Sequence, residues 1–392
     1  MKLLVLTSRF PFPLEKGDKL RIYNQIKQLS KNHEITLITT SFSNVSTEQI
    51  RELYNYCKTI HIFKIGLVHQ FINLCRSVFN GLPLQVGLFY RPKLKKQIHT
   101  LIADIKPDAI YCHLIRMSEY VKEIRGIPKT LDYMDIFSKG MQRRAERSGF
   151  GMRQAALWEY RRLLKYERAI FDCFDNKIMI SEQDKTFIPH PNKNEIHVIE
   201  NGVDTDIFHP LPTEKKYDLL FTGNMAYPPN IEAAVYAATK IMPLLHQQNP
   251  EINLLIAGIN PSLSVRKLQS DKVAVLDNFL HIRDAFALSR INLAPMLTSI
   301  GLQNKILQAM AMKVPNICSS LANNAVKAIE GETILIADTP EQYVKKITTL
   351  LNDVKKAEQI AEAAYLFVVS HYNWASQNEK MEKFIFSGTP HK

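Results

Sequence analysis

Short apolar runs that alternate with helical patterns limit what this chain can fold into more than any other feature. KLLVLT (Lys2 to Thr7) and EITLITT (Glu34 to Thr40) flank a Pro- and Gly-punctuated loop and an amphipathic stretch from about Leu20 to Leu29. That order makes a βαβ unit, whose first loop belongs at the carboxyl edge of a parallel sheet, where ligands bind. The pattern returns in the second half as KYDLLFTGN (Lys216 to Asn224), NLLIAG (Asn253 to Gly258), VAVLDN (Val273 to Asn278) and INLAPM (Ile291 to Met296). VPNICS (Val314 to Ser319) and TILIAD (Thr333 to Asp338) continue it. Runs of this length separated by helices predict a doubly wound parallel sheet. At 392 residues the chain is too long for one ordinary core and suits two such domains.

Composition narrows the class. Apolar content of 46% with 22% charged residues describes a globular chain, not a disordered one. No uncharged apolar run is long enough for a transmembrane helix, and MKLLVLTSRF is too short for a signal peptide and reads as a first strand. Five scattered cysteines, without metal spacing, fit reduced thiols in the cytoplasm. Charge is uneven: residues 1–200 hold 32 Lys+Arg against 20 Asp+Glu, and the remainder is balanced. The whole net charge of +12 therefore lies in the first half, which fits an acidic partner as well as a plain solvated surface. No zinc knuckle or RNP-like aromatic motif points to nucleic acid, which leaves an anionic membrane or a lipid diphosphate as the partner to weigh.

The stretch SIGLQNKILQAMAMKVP (Ser299 to Pro315) carries the strongest site signal. It follows the INLAPM run, Gly301 allows a turn, and Ile306, Leu307, Met310 and Ala311 recur at helical spacing until Pro315. A strand, a turn and a helix start expose backbone N–H groups and the positive dipole end to an anion. Lys305 adds a full charge in the first turn, and Gln308 follows on the same face. By itself this is also how an ordinary strand-turn-helix unit reads. Elsewhere, DAIYCHLIRMSEY (Asp108 to Tyr120) predicts a strand that ends on His113, with Arg116 in the next turn. TLDYMDIFS (Thr130 to Ser138) places Asp132 and Asp135 in a strand-to-loop position, able to accept hydrogen bonds from a ligand or to pair with the Arg143–Arg147 cluster. Residues 66–100 mix apolar and basic side chains without clean periodicity. Phe71, Leu74, Val78 and Phe79 could form one apolar helix face with Arg76 beside it; Phe71 and Leu74 are expected to pack on the sheet, and Arg91, Lys93, Lys95 and Lys96 could meet anionic lipid.

LQAMA (Leu307 to Ala311) resembles the donor-site segment of retaining GT-B glycosyltransferases of family 4, whose E-x7-E pattern ends in Glu-Ala-Met-Ala. Gln308 stands where the second glutamate belongs and Ile300 where the first does. GLQNK (Gly301 to Lys305) resembles a sub-branch from bacterial surface-polysaccharide clusters, as does the GDKxR loop at Gly17, Asp18, Lys19 and Arg21. Val198, Ile199, Asn201, Gly202, Val203, Asp204 and Phe208 match the pattern V-I-x-N-G-V-D-x-x-x-F, and HYNWASQ (His371 to Gln377) resembles the start of the family's terminal helix.

The resemblance implies the GT-B fold, with two Rossmann-like domains facing a central cleft. Its divisions here are an acceptor-side domain over 1–197, a nucleotide-sugar domain over 198–370 and a terminal helix over 371–392 that packs back on the first. It implies transfer of a sugar from a nucleotide-diphosphate sugar to a glycan or lipid-linked acceptor in envelope glycan synthesis, with retention. His113 and Lys305 are then catalytic; Gly223, Asn224, Gly301, Leu302, Gln303, Asn304, Lys305 and Gln308 bind donor. Gly17, Asp18, Lys19, Arg21 and Asp135 serve acceptor and phosphate. Family members carry an Arg and a Lys after the glycine that matches Gly223; here Asn224 to Asn230 hold no cation, which shifts diphosphate binding to Lys305, the Gly301 loop and Arg283. No Asp-x-Asp motif occurs, and neither a metal nor a cofactor is expected beyond the donor substrate. The expected location is the cytoplasm, peripheral to the inner membrane face. Alternatives are a non-catalytic GT-B subunit that binds a partner transferase or glycan, and a hydrolysing nucleotide-sugar epimerase.

Overall fold

In a computed structural model of the chain, the apolar runs become strands of two parallel sheets. The structure describes every residue except 15, 147, 278, 280, 299, 300 and 387–392. The chain divides into two compact units, Met1–Glu200 with Ala375–Lys392, and Asn201–Trp374.

In the first unit the strands are β1 (Lys2–Thr7), β2 (Glu34–Ser41), β3 (Thr59–Lys64), β4 (Ala109–His113), β5 (Lys129–Met134), β6 (Asn176–Met179) and β7 (His197–Val198). Their order is β3-β2-β1-β4-β5-β6-β7. Along β1, Leu3 and Val5 enter one core while Leu4 and Leu6 enter another, so both faces of the sheet are buried. This is why the run reads as continuously apolar instead of alternating. The helix Gly17–Leu29 begins three residues before the apolar periodicity does, with Asp18 in its first turn, where the helix dipole favours an acid. The terminal helix Trp374–Ile385 sets Met381 and Ile385 into the core beside Leu3 and Val5, and Asn176 Nδ2 donates to the carbonyl of Phe384 at 2.6 Å.

The second unit holds β8 (Tyr217–Thr222), β9 (Leu254–Ala257), β10 (Val273–Leu276), β11 (Ser289–Ala294), β12 (Asn316–Cys318) and β13 (Leu335–Ile336), ordered β10-β9-β8-β11-β12-β13. Its entry and exit are joined. Val203 pairs with Asn373, and the Val203 N–H donates to the Tyr372 carbonyl at 2.7 Å. A Cβ on Gly202 would lie 2.5 Å from the Trp374 nitrogen, so the Asn-Gly pair serves close packing against a buried Trp374.

In residues 66–100 the helix agrees with expectation and the packing departs from it. These residues form the helices Leu67–Asn80 and Pro92–Ile105, with a short turn of helix between. Phe71 lies in solvent and Leu74 is only half-buried. Among the described residues no helix is long and apolar enough to cross a membrane.

Candidate active site

Both sheets reverse their winding between the first and fourth strand of their unit. From β1 the chain proceeds to β2 on one side, and from β4 to β5 on the other; β8 and β11 are the equivalent pair. Such a switch point leaves a crevice at the strand carboxyl ends, where open α/β sheets bind ligands. The candidate residues collect at these two places.

In the first unit, Thr7 and His113 are register partners at the ends of β1 and β4. His113 is buried, its Nε2 has no hydrogen-bond partner among the described residues, and burial pushes its pKa down to about 4, so it is neutral at physiological pH. Ser8 Oγ is likewise buried without a partner. Arg9 Nη1 reaches Asp18 Oδ2 at 2.7 Å. Burial opposes the charge of Asp18, but Arg9, His113 and Arg116 outweigh it and hold the carboxyl below its usual range. Arg116 stacks 4.5 Å from the Phe137 ring, and burial together with Arg9 lowers its pKa to about 10. Asp135 is solvent-accessible yet crowded by protein. Desolvation, with Asp184, Asp18 and Asp132 nearby, pushes its pKa up to about 6. β4 leads into Leu114 (φ 68°) and β5 ends on Met134 (φ 56°), non-glycine residues with an uncommon positive-φ backbone that re-aims the segments bearing Arg116 and Asp135.

Other members of the GDKxR loop are placed differently. Gly17 is exposed and Lys19 half-buried at the helix start. Arg21 is fully buried: its Nε donates to Asp132 Oδ2 at 2.7 Å and its Nη1 to the carbonyl of Ile199 at 2.8 Å. Asp132 also accepts from Tyr111 (2.7 Å) and lies inside β5, not in a loop. This pair organises the sheet beneath the site instead of lining it. Among the described residues Asp135 makes no ion pair with Arg143, and Arg147 lies outside them.

In the second unit, β8 ends at Thr222 and the chain turns through Gly223 and Asn224. A Cβ on Gly223 would sit 2.7 Å from Asn230 Nδ2, and one on Gly258 would sit 1.7 Å from the Gly223 oxygen. Only glycine lets these two backbones meet. After β11 the chain returns through Gly301, Leu302 and Gln303 to the helix Asn304–Ala311. Gln303 Nε2 donates to the Gly301 oxygen (2.8 Å), and among the described residues Asn304 Oδ1 has no hydrogen-bond partner. Gln308 is half-buried on this helix. Gly301 itself needs no special backbone: a Cβ there would meet open space and its φ is not left-handed. Ile300 and Ser299 lie outside the described residues. Arg283 reaches the carbonyl of Ile207 at 3.4 Å.

Lys305 does not present an outward charge. Its side chain is buried, Nζ donates to Asn230 Oδ1 at 2.8 Å and lies 4.3 Å above the Phe221 ring, and burial lowers its pKa to about 7. Asn230 Nδ2 in turn donates to the Asn224 carbonyl at 3.0 Å. Lys305 thus ties the Asn304 helix to the loop after β8 through Asn230. Asn230, Arg9 and Ser8 are absent from the sequence-derived candidates. The one signal for Asn230 was a lone polar residue between Pro-Pro and an apolar helical run.

These units are parallel-sheet, Rossmann-like α/β domains, and the solved structures that share the architecture include GT-B glycosyltransferases. They include sucrose-phosphate synthase of Thermosynechococcus elongatus (TM-score 0.70, 14% identity, 98% of each chain). Anabaena HepE in complex with UDP has TM-score 0.69 and 14% identity, over 99% of this chain and 100% of that one. WaaG, a glycosyltransferase involved in lipopolysaccharide biosynthesis, has TM-score 0.66 and 13% identity, with 99% and 100% covered. Residues 216–353 match the family described as glycosyl transferases group 1. The chain is also 24% identical to an uncharacterized 44.6 kDa protein in the cps region of Klebsiella pneumoniae, over 95% of this chain and 96% of that protein.

Proposed function

We propose that the protein transfers a sugar from a nucleotide-diphosphate sugar to a glycan or lipid-linked acceptor in bacterial envelope glycan synthesis, with retention of configuration and at an anionic membrane surface. The observation that carries the reading is the switch point between β8 and β11, where Gly223 and Asn224 follow one strand and the loop into the Asn304 helix follows the other. Helix-start N–H groups and the positive dipole end suit the charge that develops on a departing diphosphate. Because Lys305 points inward, its part is to fix the rim through Asn230, and backbone amides receive the phosphates. His113 and Asp135, with Asp18, Arg9 and Arg116, are a set of polar groups suited to acceptor hydroxyls. HepE binding UDP and WaaG acting in lipopolysaccharide synthesis support the donor class and the pathway class.

A second reading is a non-catalytic subunit. It is favoured by Gln308 at a position where the family-4 pattern carries glutamate, and by the inward turn of Lys305. Calorimetric titration with UDP, GDP and dTDP separates the two. Micromolar binding of one nucleotide, weakened about tenfold or more by Gly223→Ala, is expected for the transferase. No binding of any nucleotide would overturn it in favour of the subunit.

A further inference from the structure

The helix Leu67–Asn80 is built inside out. Its inward stripe is Gln70, Asn73, Leu74 and Ser77, three of them polar, at i, i+3, i+4 and i+7. Each polar member is satisfied: Gln70 Nε2 donates to the Ile65 carbonyl (3.1 Å), Asn73 Nδ2 to the Leu88 carbonyl (2.9 Å) and Ser77 Oγ to the Asn73 carbonyl (2.7 Å). Ser77 also sits so close to Gly87 that a Cβ there would meet its hydroxyl at 1.6 Å. The inward face is therefore fixed, and the helix cannot roll over. The outward stripe is Val68, Phe71, Ile72, Cys75 and Phe79, all exposed, with Phe71 at 69% and Phe79 at 89%. A helix with its apolar stripe in water is favourable only when that stripe meets another apolar phase.

The surrounding charge says which phase. No acid occurs between Leu67 and Lys96, whereas Arg76 lies in the groove with Phe71, Ile72 and Phe79, and Arg91, Lys93 and Lys96 follow at the next helix start. Arg91 Nη2 is 3.0 Å from His69 Nε2, which fastens this basic segment to the apolar helix. Arg162 donates to the carbonyls of Ser77 and Leu82 and stacks 4.2 Å from the exposed Trp158, so an aromatic flanks the same surface. A second copy of the chain would bring a like-charged face against it, since residues 1–200 carry all the net +12. An apolar helical stripe ringed by Lys and Arg, with Trp at its edge, is the composition of an interfacial helix.

We infer that the outward face of the Leu67–Asn80 helix is the surface by which the protein lies on an anionic lipid bilayer, Phe71 and Phe79 entering the acyl boundary and Arg76, Arg91, Lys93 and Lys96 meeting headgroup phosphates. It gives a location to the membrane association proposed above and needs neither the donor nor the acceptor.

The test is flotation of the full chain with phosphatidylglycerol/phosphatidylcholine vesicles, without nucleotide sugar, so its failure would leave the transferase reading standing. Wild type is expected to float with anionic vesicles and to bind pure phosphatidylcholine at least about tenfold less. Phe71→Asp/Phe79→Asp should lose binding by at least about tenfold while its circular dichroism melt is unchanged, since both side chains lie in solvent. Lys93→Glu/Lys96→Glu should lose the preference for anionic lipid. Undiminished flotation of the Phe71/Phe79 variant, or no flotation of the wild type, would overturn the assignment. So would light scattering that finds a wild-type dimer made monomeric by the Phe71/Phe79 change.

Discussion

Replacing Lys305 by Met should change how the Asn201–Trp374 unit responds to pH. Burial holds the Lys305 pKa at about 7 against an ordinary 10.5. Between those values the unfolded chain binds more protons than the folded one, so stability at this position rises with pH and is lowest below pH 7. One pKa unit corresponds to about 1.36 kcal/mol, and Lys305 is half-titrated at the lower bound. The wild type therefore gains about 2 kcal/mol between pH 7 and pH 9 from this group alone. The Met variant has nothing to titrate there, so the stability difference between the two proteins should widen by that amount in favour of wild type. Urea unfolding in a Trp158→Phe background reads the second unit through Trp374, the other tryptophan of the chain. A difference that stays flat from pH 7 to pH 9 would mean that the ammonium is solvated and points outward, and would refute the buried tie to Asn230.

Arg21→Met leaves Asp132 buried without its cation and should cost about 3–5 kcal/mol in urea unfolding; adding Asp132→Leu should recover much of it. A loss under about 1 kcal/mol for the single variant would place the pair at the surface. If transfer requires ionised Asp135, kcat/KM should fall as pH drops through about 6 in the wild type, and Asp135→Asn should lack that limb. His113, lowered to about 4, stays neutral over the same range and cannot supply it.

Sequence and structure agree where local pattern is enough. β1, β2, β4, β8, β9 and β11 were legible because parallel strands buried on both faces read as unbroken apolar runs. The Asn304 helix was legible from its spacing and its stop at Pro315. Side-chain direction was not legible, because it depends on distant partners. Lys305 looks outward in sequence but finds Asn230, 75 residues away, and Arg21 finds Asp132, 111 residues away. The Leu67–Asn80 helix misleads for a different reason. Its apolar residues were assigned to the sheet by the usual rule, whereas Gln70, Asn73 and Ser77 have carbonyl partners waiting on the inside.

The joining of Val203 to Tyr372 and Asn373 makes the second unit a cassette. Its two ends leave side by side, so Asn201–Trp374 is topologically an insertion within the chain that forms the first unit, which resumes at Ala375. A segment of this kind can be excised or exchanged with both cuts at one seam, and its host has a single short gap to bridge. Replacing this one contiguous stretch of coding sequence would exchange the whole second unit and leave the residues of the first unit untouched.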